Sequence, residues 1–349
     1  MPALRALAGA AAIAAAATTV TAVPAVAHSP ERVRCGTSSL VAAINRANAR
    51  GFGDLTLARG CVYDFTAPVS GEDATPPLRV PVTIDGNGAT LRRGTTARLF
   101  RLLDVAARGR VTLSDLKIEN GEVTGDGGGV LVRDKGTLRA TSVRVTGNTA
   151  RNNGGGIENL GTLKLVRSTV ADNRAAASGG GISTEGSASV VSTSIERNTA
   201  ARFFGGGVFN DNRITITRSS ITGNKVTAGD GGGLWNNFRM TVDDSTIADN
   251  TASDHGGGVT NAQLGRATFH RSTIKRNTAL LLAGGIYNVN PGAHLVLDHS
   301  SVTRNGARNA PGGVFNDSGS VVVNKRSPIT GNRPTNCVGS PSPVPGCTG

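Results

Sequence analysis

Residues 231–250 read GGGLWNNFRMTVDDSTIADN, and both ends of this stretch return along the chain. The glycine triplet and its apolar neighbour reappear as GGGVLV at 127, GGGIEN at 154, GGGIST at 179, GGGVFN at 205 and GGGVTN at 256, then shorten to GGIYN at 284 and GGVFN at 312. The closing phrase, two Ser or Thr residues, Ile or Val, two variable residues and Asn, ends at Asn173, Asn198, Asn224, Asn250, Asn277 and Asn305. Weaker copies end at Asn148 and Asn332, so successive asparagines are 25 to 28 residues apart. An internal repeat therefore covers most of the chain.

Each repeat carries short segments in which apolar and polar residues alternate, as in Leu163-x-Leu165 and Ile214-x-Ile216. This two-residue period is typical of a strand with one buried face, and no useful helical period appears between residues 78 and 335. A repeat of about three short strands cannot bury its apolar face alone and must stack on its neighbours. The sequence therefore predicts an all-β, single-stranded right-handed parallel β-helix of roughly ten turns, the hand following from the rule for parallel crossovers. Leucine-rich repeats share the period, but their leucine and asparagine consensus is missing.

Stacked turns place equivalent residues of the repeats in columns. The asparagines form one column where the chain must turn, because asparagine tolerates left-handed backbone angles and can hydrogen-bond to the copy above it. The glycine triplets form a second column, where the backbone bends tightly or packs closely. We interpret both columns as scaffold.

The composition and the N-terminus indicate an exported protein with a thin core. The 349 residues include 48 Gly and only 12 aromatics, so the core must rely on Val, Ile, Leu and Ala. Residues 1–27 contain Arg5, an alanine-rich apolar run and a small-x-small site at Ala25-Val26-Ala27. This pattern predicts a secretory signal peptide cleaved near Ala27. No other apolar stretch is long enough to span a bilayer.

The net charge and the cysteines are typical of a protein outside the cell. The formal net charge is +13, which becomes +12 once Arg5 is removed with the signal, and the cations are scattered over many turns. We expect broad, salt-dependent attraction to anionic polymers. The four cysteines flank the repeats as two local pairs, and we pair Cys35 with Cys61 and Cys337 with Cys347, although four cysteines allow three connectivities. The spacing is wrong for zinc, and we predict no metal and no cofactor.

Three segments resemble known secreted bacterial β-helix proteins. GGGVFN, GGIYN and GGVFN are similar to the repeats of polymorphic outer-membrane proteins, and TIDGNGATL at 83–91 resembles the opening turn of pectin-lyase-like β-helices. CGTSSLVAAINRAN at 35–48 is similar to the Cys-Ser-Leu-Arg-Glu-Ala-type cap. The resemblance covers about residues 33–335 and implies the fold. That superfamily hosts lyases, hydrolases, adhesins and surface proteins alike, so the resemblance leaves the function open.

The segment 28–77 is predicted to cap the N-terminal end of the solenoid. Thr37 or Ser38 can cap a helix, Leu40, Ile44 and Ala47 share one face, and Gly51 can end it. Such an amphipathic helix covers a strand edge that would otherwise invite aggregation. We assign 78–335 to the repeats and 336–349 to a disulfide-bonded C-terminal tail.

One column of polar residues offers acid and base groups. Seven positions before successive asparagines stand Asp243, His270, Asp298 and Lys325, about 5 Å apart in consecutive turns. An acid, a histidine and an acid so spaced can transfer protons. Alternatively, the opposite charges only reduce repulsion between stacked turns of the solenoid, and we favour this second interpretation. The next column repeats the alternation with Arg218, Asp244, Arg271 and His299. Asp243-Asp244 and Asp254-His255-Gly256 are similar to elements of polygalacturonase-like hydrolases, whose remaining motifs are absent here.

A second column carries aromatic side chains. Aligned repeats place Phe209, Trp235, Tyr287 and Phe315 at one position, with Thr260 interrupting and with Glu158 and Ser183 at the equivalent places in earlier turns. Because the residue before each aromatic is apolar and should point inward, we expect the aromatics to form an exposed stripe. The stripe either holds turns together, which we favour, or binds sugar rings or the apolar surface of a partner.

These observations predict a secreted, non-catalytic β-helix protein of the cell surface or extracellular space that binds acidic polymers or surfaces. The alternative is a polysaccharide lyase or glycoside hydrolase of pectin-lyase-like type. We expect a monomer without a membrane span and without a specific nucleic-acid partner, although the basic surface should attract nucleic acid in vitro. Activity on a panel of polysaccharides separates the two functions.

Overall fold

The computed structural model describes residues 29–324 and 326–349. Over these residues the chain forms a parallel β-solenoid of about 11 turns with one short helix near the N-terminus, which confirms the predicted fold class. The predicted signal peptide and Lys325 lie outside the described residues.

One long sheet of 21 strands supplies two of the faces of each turn, and its strands pair in parallel. The two ladders of this sheet are joined in the first turns, where single strands run through both, and they separate at a corner in the later turns. The strands are Glu31–Val33, Gly53–Leu57, Val62–Phe65, Pro81–Arg93, Arg110–Glu119, Thr137–Thr141, Arg144–Thr146, Thr162–Val166, Thr169–Ala171, Ser187–Val191, Ser194–Glu196, Arg213–Thr217, Ser220–Thr222, Arg239–Asp243, Thr246–Ala248, Arg266–His270, Thr273–Lys275, His294–Asp298, Ser301–Thr303, Ser320–Val323 and Ile329–Thr330.

Two smaller parallel sheets close the turns. The nine-stranded sheet follows the glycine triplets and contains Leu103–Val105, Val130–Val132, Ile157–Asn159, Ile182–Thr184, Val208–Asn210, Leu234–Asn236, Val259–Asn261, Ile286–Asn288 and Val314–Asn316. The eight-stranded sheet follows the asparagines and contains Glu122–Val123, Thr149–Ala150, Arg174–Ala175, Thr199–Ala200, Lys225–Val226, Thr251–Ala252, Thr278–Ala279 and Gly306–Ala307. A further pair, Phe203–Phe204 with Gly229–Asp230, links two neighbouring loops.

The core is a stack of thin apolar layers, as the alternation predicts. Ile214 and Ile216 are buried, and the polar residues between and around them face outward. Each layer repeats in register, so that Ile216 stands opposite Val242 and Val242 opposite Phe269. Burial of apolar surface between turns is therefore the main source of stability.

The asparagine column forms a buried hydrogen-bonded ladder. Asn224 Nδ2 donates to Asn250 Oδ1 in the next turn (3.0 Å) and to the carbonyl of Ile195 in the turn before (2.9 Å). The backbone N–H of Asn224 donates to the same oxygen of Asn250 (2.9 Å). The left-handed backbone angle falls on the preceding residue, such as Arg197 with φ 52°, and not on the asparagine as we had expected. The asparagines thus satisfy buried backbone groups at the corner.

The glycine triplets are required by close approach between turns. Gly231 has φ 70°, a left-handed angle that side-chain-bearing residues rarely adopt. A Cβ atom on Gly232 would lie 2.5 Å from the carbonyl oxygen of Gly257 in the next turn, so the second glycine leaves no room for a side chain. The triplet lets the chain bend tightly into the strand that carries Trp235.

The predicted cap helix runs over Thr37–Arg50. It buries Leu40, Ala43, Ile44 and Ala47 against the first strands and ends at Gly51, which has φ 85°. The N-cap residue is Gly36, without a side-chain cap, so the prediction that Thr37 or Ser38 caps the helix is wrong. Asn48 ties the helix to the first turn, since its Nδ2 donates to the carbonyl of Pro77 (2.9 Å) and its Oδ1 accepts from the N–H of Arg79 (3.1 Å).

Both predicted disulfides are present. Cys35–Cys61 joins the start of the cap helix to the first turn, with Cα atoms 5.7 Å apart. Cys337–Cys347 closes the C-terminal segment, with Cα atoms 6.2 Å apart. Among the described residues, no helix is long and apolar enough to cross a membrane.

Candidate functional site

The aromatic column has the predicted register. Phe209 stands opposite Trp235 in the nine-stranded sheet, and Thr260 separates Trp235 from Tyr287. Tyr287 stands opposite Phe315. Alignment of the repeats therefore identified the correct neighbours.

The predicted exposure of this column is wrong for two of its four members. Trp235 and Phe315 are only 6% and 8% exposed, whereas Phe209 and Tyr287 are half-buried. The covering groups come from residues that precede the glycines. The ring of Phe204 stacks on Trp235 with centroids 3.8 Å apart, and His255 stacks on Tyr287 at 4.7 Å. The column is therefore largely covered, although the binding of sugar by Phe209 and Tyr287 stays a prediction.

Trp235 is fixed by a hydrogen bond as well as by stacking. Its indole Nε1 donates to Asn237 Oδ1 (2.7 Å), and Asn237 Nδ2 in turn donates to Asp211 Oδ1 (2.8 Å). A buried indole N–H normally finds such a partner. The signal that we missed was the pair Phe203-Phe204 directly before a glycine triplet, which supplies the stacking ring.

The acid and base candidates do come together. Asp243, His270 and Asp298 occupy the same register position in three consecutive turns of the long sheet. His270 Nδ1 lies 3.5 Å from Asp243 Oδ1, and His270 Nε2 lies 3.0 Å from Asp298 Oδ2. All three side chains are partly exposed, as predicted. The arrangement places an imidazole between two carboxylates, a geometry that suits proton transfer or simple charge pairing.

The neighbouring column shows the predicted pairing of opposite charges. Arg271 donates from Nε and Nη2 to the two carboxylate oxygens of Asp244, at 2.6 and 2.9 Å. These hydrogen bonds from Arg271 lower the pKa of Asp244 below its usual value. Asp244, Arg271 and His299 all have left-handed φ angles of 45° to 49°, because they occupy the corner between the two ladders.

His299 adds a residue to the acid and base cluster. Its Nδ1 lies 3.0 Å from Asp298 Oδ1, and Asn324 Nδ2 donates to the same oxygen (3.2 Å). The hydrogen bond from Asn324, followed by that from His299, lowers the pKa of Asp298. Sequence analysis placed His299 one column away, because it could not show that the corner turns the ring toward Asp298.

In the Asp254-His255-Gly256 element, the contacts of His255 are structural ones. His255 Nδ1 lies 2.9 Å from Asp230 Oδ1, and the backbone N–H of His255 donates to the same oxygen (2.7 Å). The ring stacks on Tyr287, so His255 helps to fix one loop against the nine-stranded sheet.

A column of like charges was missed by the sequence analysis. Arg213, Arg239 and Arg266 occupy the same register position in three consecutive turns, and His294 follows them. We call this column the arginine ladder. All three arginines are exposed, and within residues 29–324 and 326–349 none forms an ion pair. The expectation that cations are merely scattered is therefore wrong for these turns. The sequence does contain a signal for the arginine ladder, because an arginine recurs after 26 and then after 27 residues.

Cations also converge in the N-terminal turns. Lys117 and Arg144 are opposite each other in the long sheet, and both line a cavity of about 230 Å³ together with Arg167. Asp115 is the acidic residue among the lining groups. A cavity with three cations and one carboxylate suits a small anionic group.

Comparison with known proteins supports the fold. Residues 161–333 match the family model described as right handed beta helix region. No curated protein and no solved structure gives a significant match to the chain.

Proposed function

We propose that this right-handed β-helix protein is secreted, acts without catalysis at the cell surface or outside the cell, and binds acidic polymers. The observation that carries the proposal is the arginine ladder of Arg213, Arg239 and Arg266. Consecutive turns lie about 4.8 Å apart, so the ladder presents a line of positive charge along the solenoid axis.

The ladder differs from the other charged columns of the solenoid. Several arginines of other columns pair with acids of a neighbouring turn, as in Arg197 with Asp172 and Arg276 with Asp249. Like charges held about 4 Å apart in water repel one another by about 1 kcal/mol per pair, and exposed side chains that splay apart repel less. A polyanion lying along the ladder would replace that repulsion with attraction.

The surroundings of the ladder suit a polar chain. Thr215, Thr241 and Thr268 form the parallel column two residues further along each strand, and they are half-buried. Their hydroxyl groups can donate to and accept from sugar hydroxyls. Charged groups and hydroxyls in adjacent columns favour an acidic polysaccharide as the class of ligand.

Two features support export. The first 27 residues have the pattern of a secretory signal. The two disulfides are of the kind that persists in oxidising compartments.

The test compares two triple variants of equal charge. Arg213→Ser, Arg239→Ser and Arg266→Ser together remove the ladder, and serine already occupies the column at Ser187 and Ser320. The control, Arg151→Ser with Arg202→Ser and Arg308→Ser, removes three exposed arginines that lie on loops. Binding to immobilised polygalacturonate and to neutral dextran is measured at low and high salt.

We expect the ladder variant to bind polygalacturonate about tenfold more weakly than the control variant, since three exposed contacts at 0.5 to 1 kcal/mol each are lost. Equal binding by the two variants, or binding insensitive to salt, would show that the ladder is not the site. The same polymers are assayed for new reducing ends and for unsaturated products. Turnover that is lost in His270→Asn would favour the alternative, a lyase or hydrolase that uses Asp243, His270 and Asp298.

A further inference from the structure

Three side chains from two consecutive turns bring ligand atoms for a metal ion together on the long sheet. His270 Nε2 lies 3.0 Å from Asp298 Oδ2, and His299 Nδ1 lies 3.0 Å from Asp298 Oδ1. One ligand atom from each of the three residues lies within 4.8 Å of the others. From the sequence we predicted no metal, since the cysteine spacing is wrong for zinc and His299 stands in a different column from His270 and Asp298.

We propose that His270 Nε2, His299 Nδ1 and the carboxylate of Asp298 bind a divalent transition-metal ion of the zinc type. Two imidazoles and one carboxylate form a ligand set that zinc and its neighbours prefer over calcium or magnesium. Ligands at about 2.0 to 2.2 Å from a tetrahedral zinc ion lie roughly 3.4 Å from one another. The two observed nitrogen–oxygen separations of 3.0 Å, one to each oxygen of Asp298, are close to that value, and the ligand atoms of the three residues, which lie within 4.8 Å of one another, must rotate closer to complete the site.

The backbone holds the three groups in place before any ion arrives. His270 and Asp298 are opposite each other in adjacent strands of the long sheet. His299 follows Asp298 at the corner, where its φ of 49° ends the strand and directs the ring back toward the carboxylate. A site built on a rigid sheet loses little freedom on binding.

Outer groups orient the ligands as they do in known metal sites. Asp243 Oδ1 lies 3.5 Å from His270 Nδ1, so once Arg271 has moved away from this nitrogen a proton on Nδ1 can point toward a carboxylate and leave the Nε2 lone pair for the metal. Asn324 Nδ2 donates to Asp298 Oδ1 (3.2 Å) and fixes the carboxylate from the other side. The ligand side chains are 28% to 49% exposed, which allows entry of the ion and leaves a position for water.

Arg271 opposes the metal. Its Nη1 lies 2.6 Å from His270 Nδ1 and 3.1 Å from His270 Nε2, the proposed ligand atom, while Nε and Nη2 are held by Asp244. Metal binding requires Nη1 to withdraw from the imidazole, and the guanidinium also repels a cation. The nearby charges nevertheless favour a cation, because Asp243, Asp244 and Asp298 outnumber Arg271 and Arg218. Replacing Arg271 with Gln should therefore tighten binding.

The experiment titrates the purified secreted chain, freed of metal, with zinc chloride in a calorimeter. We expect one zinc ion per chain, binding at least about tenfold more weakly in His270→Asn and in His299→Asn, and more tightly in Arg271→Gln. His294→Asn is the matched control, because His294 is a partly buried histidine of the same sheet that lies outside the cluster. Bound zinc should raise Tm in the wild type and in His294→Asn, and less so in the two ligand variants.

Two results would overturn the proposal. One is the absence of saturable zinc binding in a wild-type chain whose circular dichroism shows a folded β protein. The other is binding whose affinity is the same in His270→Asn, His299→Asn and His294→Asn, which would mean adventitious binding elsewhere. Neither outcome bears on the arginine ladder, which is tested with polymers in the presence of a chelator.

Discussion

Ser183 Oγ donates to Glu158 Oε1 (3.2 Å) from the next turn, and the second carboxylate oxygen of Glu158 is buried without a partner. The two residues are opposite each other in the nine-stranded sheet, at the position that aromatics take in later turns. Desolvation raises the pKa of Glu158 to about 8, against a weaker lowering by Ser183. Asp126 and Glu185 raise this pKa further, because they add negative charge nearby.

The protein should lose stability as the pH rises through the neutral range. Between the usual pKa of 4.5 and the folded value of about 8, the folded chain keeps a proton on Glu158 that the unfolded chain has released. The free energy of unfolding therefore falls as the pH rises from 4.5 toward 8 and changes no further above it. Glu158→Gln mimics the protonated acid and should remove this part of the pH dependence, on the order of a few kcal/mol.

Urea unfolding at pH 5 and pH 8.5 measures the effect. The free energy of unfolding of Glu158→Gln, relative to that of the wild type, should be higher at pH 8.5 than at pH 5. Glu119→Gln is the control, because Glu119 is a half-exposed glutamate on the long sheet. A difference between wild type and Glu158→Gln that stays constant over this range would contradict the prediction.

Truncation of Trp235 should destabilise the solenoid strongly. Trp235 is 6% exposed and stacks on Phe204, so Trp235→Ser removes a large buried side chain and should cost about 3 to 5 kcal/mol. The expectation rests on the burial of Trp235, where the sequence had predicted an exposed side chain. Urea unfolding provides the measurement.

Adjacent phenylalanines give a sharper comparison. Phe204→Ala removes the ring that covers Trp235, whereas Phe203 is 52% exposed and contacts only the edge of this cluster. We expect Phe204→Ala to shift the fluorescence of the chain's one tryptophan toward that of a solvated indole, and Phe203→Ala to leave it nearly unchanged. Equal shifts in both variants would show that Phe204 is not the covering group.

The period and phase of the repeat were enough to predict the register. Once Asn224 and Asn250 are aligned, the strand pairs of the two turns that end at them follow, including Val208 opposite Leu234 and Ile216 opposite Val242. The reason is that a solenoid has nearest-neighbour order: each residue meets its own copy in the next turn. The local cysteine pairs were predictable for a related reason, since each pair lies within a single end of the rod.

Contacts between different columns were not predictable in the same way. Phe204 reaches Trp235, and His299 reaches Asp298, only through loop and corner angles that the repeat does not specify. The exposure of Trp235 depends on the contact with Phe204. Because the repeat does not reveal that contact, we predicted an exposed aromatic column. The N-cap at Gly36 was missed because a glycine with φ 128° has no side chain to reveal its role.

The asparagine ladder should be among the most sensitive parts of the chain. Asn224 Oδ1 accepts from both the backbone N–H and Nδ2 of Asn198, each at 3.0 Å, and all of these groups are buried. Asn224→Ala leaves two buried donors without a partner and should cost about 2 to 6 kcal/mol. The measurement is urea unfolding beside Asn212→Ala, an exposed asparagine whose Nδ2 donates to the carbonyl of Glu185 (3.1 Å). Comparable losses in the two variants would mean that the ladder adds no more than a surface hydrogen bond.

The arginine ladder should make the unliganded protein sensitive to salt. Arg213, Arg239 and Arg266 repel one another along the long sheet without an acidic partner among the described residues, and ions in solution screen that repulsion over about 8 Å at physiological ionic strength. Replacing all three with Ser should therefore raise Tm at low salt, and the gain over the wild type should shrink as salt is added. The loop variant Arg151→Ser, Arg202→Ser, Arg308→Ser has the same net charge. It therefore separates the repulsion within the ladder from the effect of lowering the net charge of the whole chain. A ladder variant whose Tm follows that of the loop variant at every salt concentration would show that the three stacked cations do not strain the fold, and that no ligand is needed to balance them.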